Sequence, residues 1–151
     1  MRIRVRLLLV VIWAAVLFVL TCTFRLGLFL KTRVIHFVYN PHPNFREFFD
    51  MQDINSIHHV WIVVKLGHFA GFFLLDLLLY NLTRNKLVSL ALAVAFAFGT
   101  EIFQLYFNRD GRLYDVLIDS AGILLSYWLI RSAAYVPPGV SSRRGSRRTV
   151  D

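Results

Sequence analysis

The sequence predicts an all-α, polytopic membrane protein: a four-transmembrane-helix bundle with a membrane-lying outer loop. Two observations lead there. Four apolar runs, 7–24, 60–80, 87–107 and 114–130, approach the roughly 20 residues that a bilayer-crossing helix needs. The 151-residue chain is also 57% hydrophobic and only 17% charged; its length would suit one soluble domain, but apolar runs this long point to a membrane.

The first run follows a basic head, Arg2, Arg4 and Arg6. A cleaved signal peptide starts the same way, but no A-x-A-like site follows and Arg25 stops the run, so 1–24 is read as a retained first span. Leu20 and Thr21 precede Cys22, where a lipoprotein would need small residues. Cys22 is the only cysteine, so neither an internal disulfide nor a cysteine-based zinc framework can form. Residues 25–59 form the longest connection, rich in phenylalanine and broken by Asn40-Pro41 and Pro43. Such an aromatic segment suits the headgroup zone, and it is read as an extracytoplasmic loop lying on the membrane. Its histidines, His36, His42, His58 and His59, match no zinc spacing.

The second run carries Lys65, His68 and Asp76 on one helical stripe, and Gly67 and Gly71 form a G-x-x-x-G packing motif. In the third, Ala91, Ala95 and Gly99 make another small-residue face, and Glu101 and Gln104 close the run. Asp110-Gly111 marks a tight turn. The fourth run aligns Asp115, Asp119, Gly122 and Ser126. Gly67, Gly71, Gly99 and Gly122 are the expected helix-packing positions. Beyond Arg131, Pro137-Pro138 and an arginine-rich stretch read as a disordered basic tail over 132–151.

Seventeen Lys and Arg stand against nine Asp and Glu. No basic stretch is interleaved with stacking aromatics, so nucleic acid is not an expected partner. The excess instead sets topology: ten basic residues fall on the side of the two termini and six on the other, which predicts both termini in the cytoplasm. In that orientation Lys65, His68, Glu101, Gln104, Asp115 and Asp119 all fall in the outer third of the bilayer, at about 1.5 Å of depth per residue. Arg109 and Arg112 sit on the turn above. Each buried charge costs about 2.5–3.5 kcal/mol on insertion scales, so a cluster of them is a functional hypothesis. These eight residues are the candidate ligand-binding set. Lys65, Arg109 and Arg112 balance Glu101, Asp115 and Asp119, so internal pairing that only fixes helix register is the competing reading.

K-x-x-H-F-x-x-F-F in the second run, E-x-x-Q closing the third and G-R-x-x-D-x-x-x-D-x-x-G after it resemble the VanZ-like family of small bacterial membrane proteins. The resemblance covers about 60–131 as a three-span core. It implies a multi-pass protein of the bacterial plasma membrane. The family takes its name from a protein linked to resistance to teicoplanin, a glycopeptide that binds cell-wall precursors, but it has no settled activity. Three positions depart from its pattern: Val64 where an acid often stands, Asp119 in place of Asn, and Ser126 in place of a second glycine.

Four functions compete. The favoured one is binding of a membrane lipid headgroup or a lipid-linked envelope precursor, with Arg112 and the acids meeting phosphate and hydroxyls. An intramembrane acid/base enzyme would use His68 with Glu101 or Asp115, but neither a nucleophile motif nor a metal set completes it. A proton-coupled carrier would need repeats that the sequence lacks. The fourth is a structural protein. No catalytic residue, cofactor or metal is expected.

Overall fold

The computed structural model describes residues 2–23, 37–51 and 59–133. Within them lie four long helices: α1 (Ile3–Cys22), α2 (His59–Thr83), α3 (Lys86–Tyr106) and α4 (Leu113–Ala133). A short 3-10 turn spans Glu47–Phe49. All four helices are long and apolar enough to cross a membrane. The 21 residues of α3 or α4 rise about 31 Å, close to the ~30 Å hydrocarbon thickness. Many large apolar side chains face outward, including Leu8, Val63, Leu87, Leu117 and Leu124, as expected where lipid is the solvent.

Helix ends follow backbone chemistry more than hydropathy. Asn85 caps α3: its side-chain oxygen accepts from the backbone N–H groups of Leu87 (3.0 Å) and Val88 (3.2 Å). Helix α4 continues through Arg131 to Ala133, past the apolar run, because polar residues extend a helix as readily as apolar ones. For the same reason α1 starts at Ile3 and includes Arg4 and Arg6. The proline-containing tail, Phe24 at the end of the expected first span, and residues 25–36 and 52–58 of the expected membrane-lying loop fall outside the described residues.

Helices successive in the chain alternate in direction. Arg6 Nη1 donates to the Asn81 carbonyl (3.2 Å), joining the start of α1 to the end of α2. At the opposite end Phe18 packs edge-on against Phe103 and Phe107. One end of the bundle therefore gathers Cys22, Lys65, Glu101 and Asp115, and is called here the polar end. The other gathers Arg6, Arg84 and Arg131. Between them sits an apolar core of Leu17, Phe72, Leu75, Leu79, Ala93, Ala97 and Ile123.

The described loop residues cover the polar end. Asn40 N–H donates to the Tyr106 carbonyl at 2.7 Å. Tyr39 stacks on Tyr106, Phe45 meets the same ring edge-on, and Phe37 packs on Phe107. Part of the loop's aromatic content thus serves as a cap on the end of α3.

The closest helix pair is α2 with α4, which run parallel. Gly122 marks the approach: a Cβ there would lie 2.2 Å from the Phe69 carbonyl oxygen, so only glycine fits against that backbone. At Gly71 an added Cβ would meet the tip of the Leu17 side chain at 2.6 Å, and the Gly71 carbonyl accepts from Trp13 Nε1 (3.0 Å). The expected packing roles of Gly67 and Gly99 are not seen. Nothing lies within 4 Å of a Cβ at either among the described residues, because each sits off the faces that α2 and α3 present to their neighbours.

This geometry orders the glycine substitutions. Gly122→Ala should destabilise by about 1–3 kcal/mol, as an overpacked core does. Gly71→Ala should cost less, since Leu17 can rotate away. Gly67→Ala and Gly99→Ala should be neutral or slightly stabilising, given alanine's helix preference. Thermal unfolding of the four purified variants checks the order.

Candidate functional site

Three polar contacts zip α2 to α4. Lys65 Nζ lies 2.5 and 2.7 Å from the two carboxylate oxygens of Asp115. His68 Nδ1 lies 3.2 Å from Asp119 Oδ1. One turn past the Gly122 crossing and deeper in the bundle, Ser126 Oγ donates to Asp76 Oδ2 at 2.7 Å. Lys65, His68 and Asp76 share one stripe of α2, and Asp115, Asp119 and Ser126 share one stripe of α4, so a single register satisfies all three contacts. Asp76, with no evident role in the sequence, is a fully buried partner of Ser126.

Helix α3 adds Glu101, fully buried, from the third side. Its Oε1 accepts from Gln104 Nε2 (2.6 Å), its i+3 neighbour, and lies 3.9 Å from His68 Nδ1. Its Oε2 accepts from the backbone N–H of Arg112 (3.0 Å). Gly111 makes that last bond reachable. A Cβ there would lie 2.0 Å from the Glu101 carbonyl oxygen, so the α3–α4 turn folds onto Glu101 only with glycine at this position. In the sequence Gly111 stands out as a turn signal; its contact with Glu101 requires knowing which way the turn folds.

The Lys65 ammonium is enclosed further by aromatic faces, 4.7 Å from the Tyr114 ring centroid and 5.5 Å from that of Trp61. Such cation–π contacts contribute most when desolvated. Lys65 and His68 retain 14% and 11% side-chain exposure, whereas Asp115 retains 4% and Asp119 none. The basic groups therefore form the accessible edge and the carboxylates the floor.

Seven of the eight expected residues adjoin this arrangement, and Arg109 does not. Its backbone N–H donates to the Gln104 carbonyl (2.9 Å), and among the described residues its side chain pairs with no carboxylate. Arg112 joins through its backbone. Its Nη1 donates to the Glu47 carbonyl (3.1 Å) and lies 3.0 Å from Asp50, while Nη2 lies 3.8 Å from Asp110. The guanidinium thus anchors the loop cap. The charge balance read from the sequence consequently changes: Lys65 offsets Asp115, and Glu101 and Asp119 face one imidazole.

His68, Glu101 and Asp119 each offer a ligand atom within 4.8 Å of the other two, so the described residues do contain a set that could hold a metal ion. The chain spacing, 68, 101 and 119, matches no local motif because each residue comes from a different helix.

The chain matches the VanZ/LLP1 family over residues 6–134. It belongs to that family. The VanZ/LLP1 match reaches back through α1, beyond the three-span core suggested by the motifs. Helix α1 contributes Leu17 to the core and Trp13 to the Gly71 carbonyl, so it is a full member of the bundle. The chain is similar to the uncharacterized membrane protein YwnJ of Bacillus subtilis (strain 168), with 34% identity over 117 residues, 78% of this chain and 84% of that protein. No solved structure matches it.

Lys65→Met or Asp115→Asn alone should each cost about 3–5 kcal/mol, since each strands a buried partner. The double variant should cost clearly less than the sum. Equilibrium unfolding of the four proteins in mixed micelles measures the coupling, and strictly additive losses would contradict the pairing. Ser126→Ala should cost about 1–3 kcal/mol by removing the Asp76 donor.

Proposed function

We propose that this VanZ/LLP1 protein is a plasma-membrane component of the bacterial envelope that binds a lipid headgroup or a lipid-linked cell-wall precursor. The polar end is assigned to the outer half of the bilayer, with both termini cytoplasmic, on the distribution of lysine and arginine. The observation that carries the reading is the layered site. Lys65 and His68 form its accessible edge over buried Asp115, Asp119 and Glu101. A phosphate entering beside α2 meets an ammonium and an imidazole first, and hydroxyls behind it meet carboxylate acceptors.

The complete burial of Glu101 and Asp119 favours a second reading, in which the charges only hold the helices in register. Bound lipid distinguishes the two. Protein purified in mild detergent should carry a defined lipid in native mass spectrometry. The Lys65→Met, Asp115→Asn double variant, which keeps the site electrically balanced, should lose that lipid by at least ~10-fold, equivalent to about 1.4 kcal/mol. Equal retention by a folded double variant would defeat the binding reading. For a cell-wall precursor as ligand, teicoplanin susceptibility should change in cells lacking the protein. Reporter fusions after Ile130 and within 37–51 test the orientation, the first expected inside and the second outside.

A further inference from the structure

We propose that His68, Glu101 and Asp119 form a binding site for a divalent first-row transition ion, with zinc as the working probe. Three helices supply one ligand each. The atoms facing one another are His68 Nδ1, Asp119 Oδ1 at 3.2 Å and Glu101 Oε1 at 3.9 Å. Zinc bonds of 2.0–2.2 Å in a tetrahedron place neighbouring ligand atoms about 3.3–3.6 Å apart. The two separations from His68 Nδ1 bracket that range, and all three ligand atoms lie within 4.8 Å of one another. One imidazole and two carboxylates are a mixed N/O donor set suited to zinc or manganese.

Charge makes the same case independently. Lys65 is held by Asp115, with both oxygens within 2.7 Å. The Arg112 guanidinium reaches the Glu47 carbonyl, Asp50 and Asp110 at the loop cap. Glu101 and Asp119 are both 0% exposed and share a single imidazole. Asp119 Oδ2 is buried and, among the described residues, has no hydrogen-bond partner. Two buried carboxylates in a low-dielectric core, one with an orphan oxygen, are stabilised by a bound cation.

The surroundings are those of an oriented ligand set. Gln104 Nε2 and the Arg112 backbone N–H hold the two oxygens of Glu101 at 2.6 and 3.0 Å. Such outer contacts fix the direction of a ligating carboxylate. Glu101 Oε1 has a second lone pair for the ion while accepting from Gln104. With Nδ1 on the metal, the His68 ring proton resides on Nε2. Three protein ligands leave a coordination position open, as in zinc sites that bind a further oxygen ligand. Lys65 stands at the exposed edge beside it. The ion does not depend on the lipid reading, because the three ligands come from the chain itself.

The test uses full-length protein bearing a histidine-free tag, stripped with chelator, reloaded and desalted in lipid-free detergent. Elemental mass spectrometry should find about one zinc per chain, and zinc should raise the unfolding midpoint, because a ligand of the native state stabilises it. His68→Asn, Glu101→Gln and Asp119→Asn should each lower retained zinc at least ~10-fold, a loss of about 1.4 kcal/mol. Asp76→Asn, a buried carboxyl outside the set, should retain it. Cobalt(II) added to the wild type should develop visible d–d bands that zinc bleaches, a readout that needs no variant to fold. Wild-type protein without retained zinc and without cobalt bands overturns the proposal. So does equal zinc retention in the three ligand variants. Loss of zinc with bound lipid unchanged, or the reverse, separates this site from the headgroup reading.

Discussion

The bundle depends on one seam, the parallel contact of α2 with α4. Along it Lys65 meets Asp115, His68 meets Asp119 and Asp76 meets Ser126, while Gly122 lets the backbones touch between them. Hydrophobicity alone does not discriminate among registers in lipid, because hydrocarbon tails are as apolar as the helices they would replace. Buried charge can. Sliding α4 by one turn would re-pair at most one contact, carrying Asp119 to Lys65 or Asp115 to His68, and would leave the other buried charged groups unmatched, each at a cost of several kcal/mol. The polar contacts therefore select one arrangement, and the glycine crossing allows the side chains to reach.

The remaining parts of the polar end are arranged around that seam. Helix α3 brings Glu101 against it, and the turn through Gly111 returns the chain so that Arg112 N–H caps the carboxylate. The Arg112 side chain continues outward to Glu47 and Asp50, which ties the loop cap to the core. Asp50, Arg112 and Glu101 are thus linked from the loop cap into the polar end of the bundle. The side chains of the polar end are oriented by their neighbours.

Much of this was legible in the sequence because helical periodicity reports faces. The stripe 65, 68, 76 and the stripe 115, 119, 122, 126 are visible without coordinates, as are the four spans. Periodicity does not report partners. Lys65 had three carboxylates at matching depth, and only the rotation of α4 selects Asp115. Arg112 counted toward site neutrality until the turn aimed its guanidinium at the cap. Gly67 and Gly71 are equivalent in a G-x-x-x-G motif, yet only Gly71 faces α1. Asp76 had no assignable role because its partner, Ser126, lies on another helix at a position where the family pattern suggests glycine.

The seam also sets a problem of timing during biosynthesis. Its members stand 50 or 51 positions apart in the chain. At about 5–20 residues per second, the ribosome completes Asp115 roughly 3–10 seconds after Lys65. The same lag separates their emergence, so α2 leaves the ribosome with a lysine, a histidine and an aspartate before α4 is there to receive them. Either the insertion machinery shelters this helix or it waits at the interface until α4 is made. The second half of the protein thus acts as a delayed chaperone for the first, and a truncation that ends before α4 would deprive α2 of its place in the bilayer.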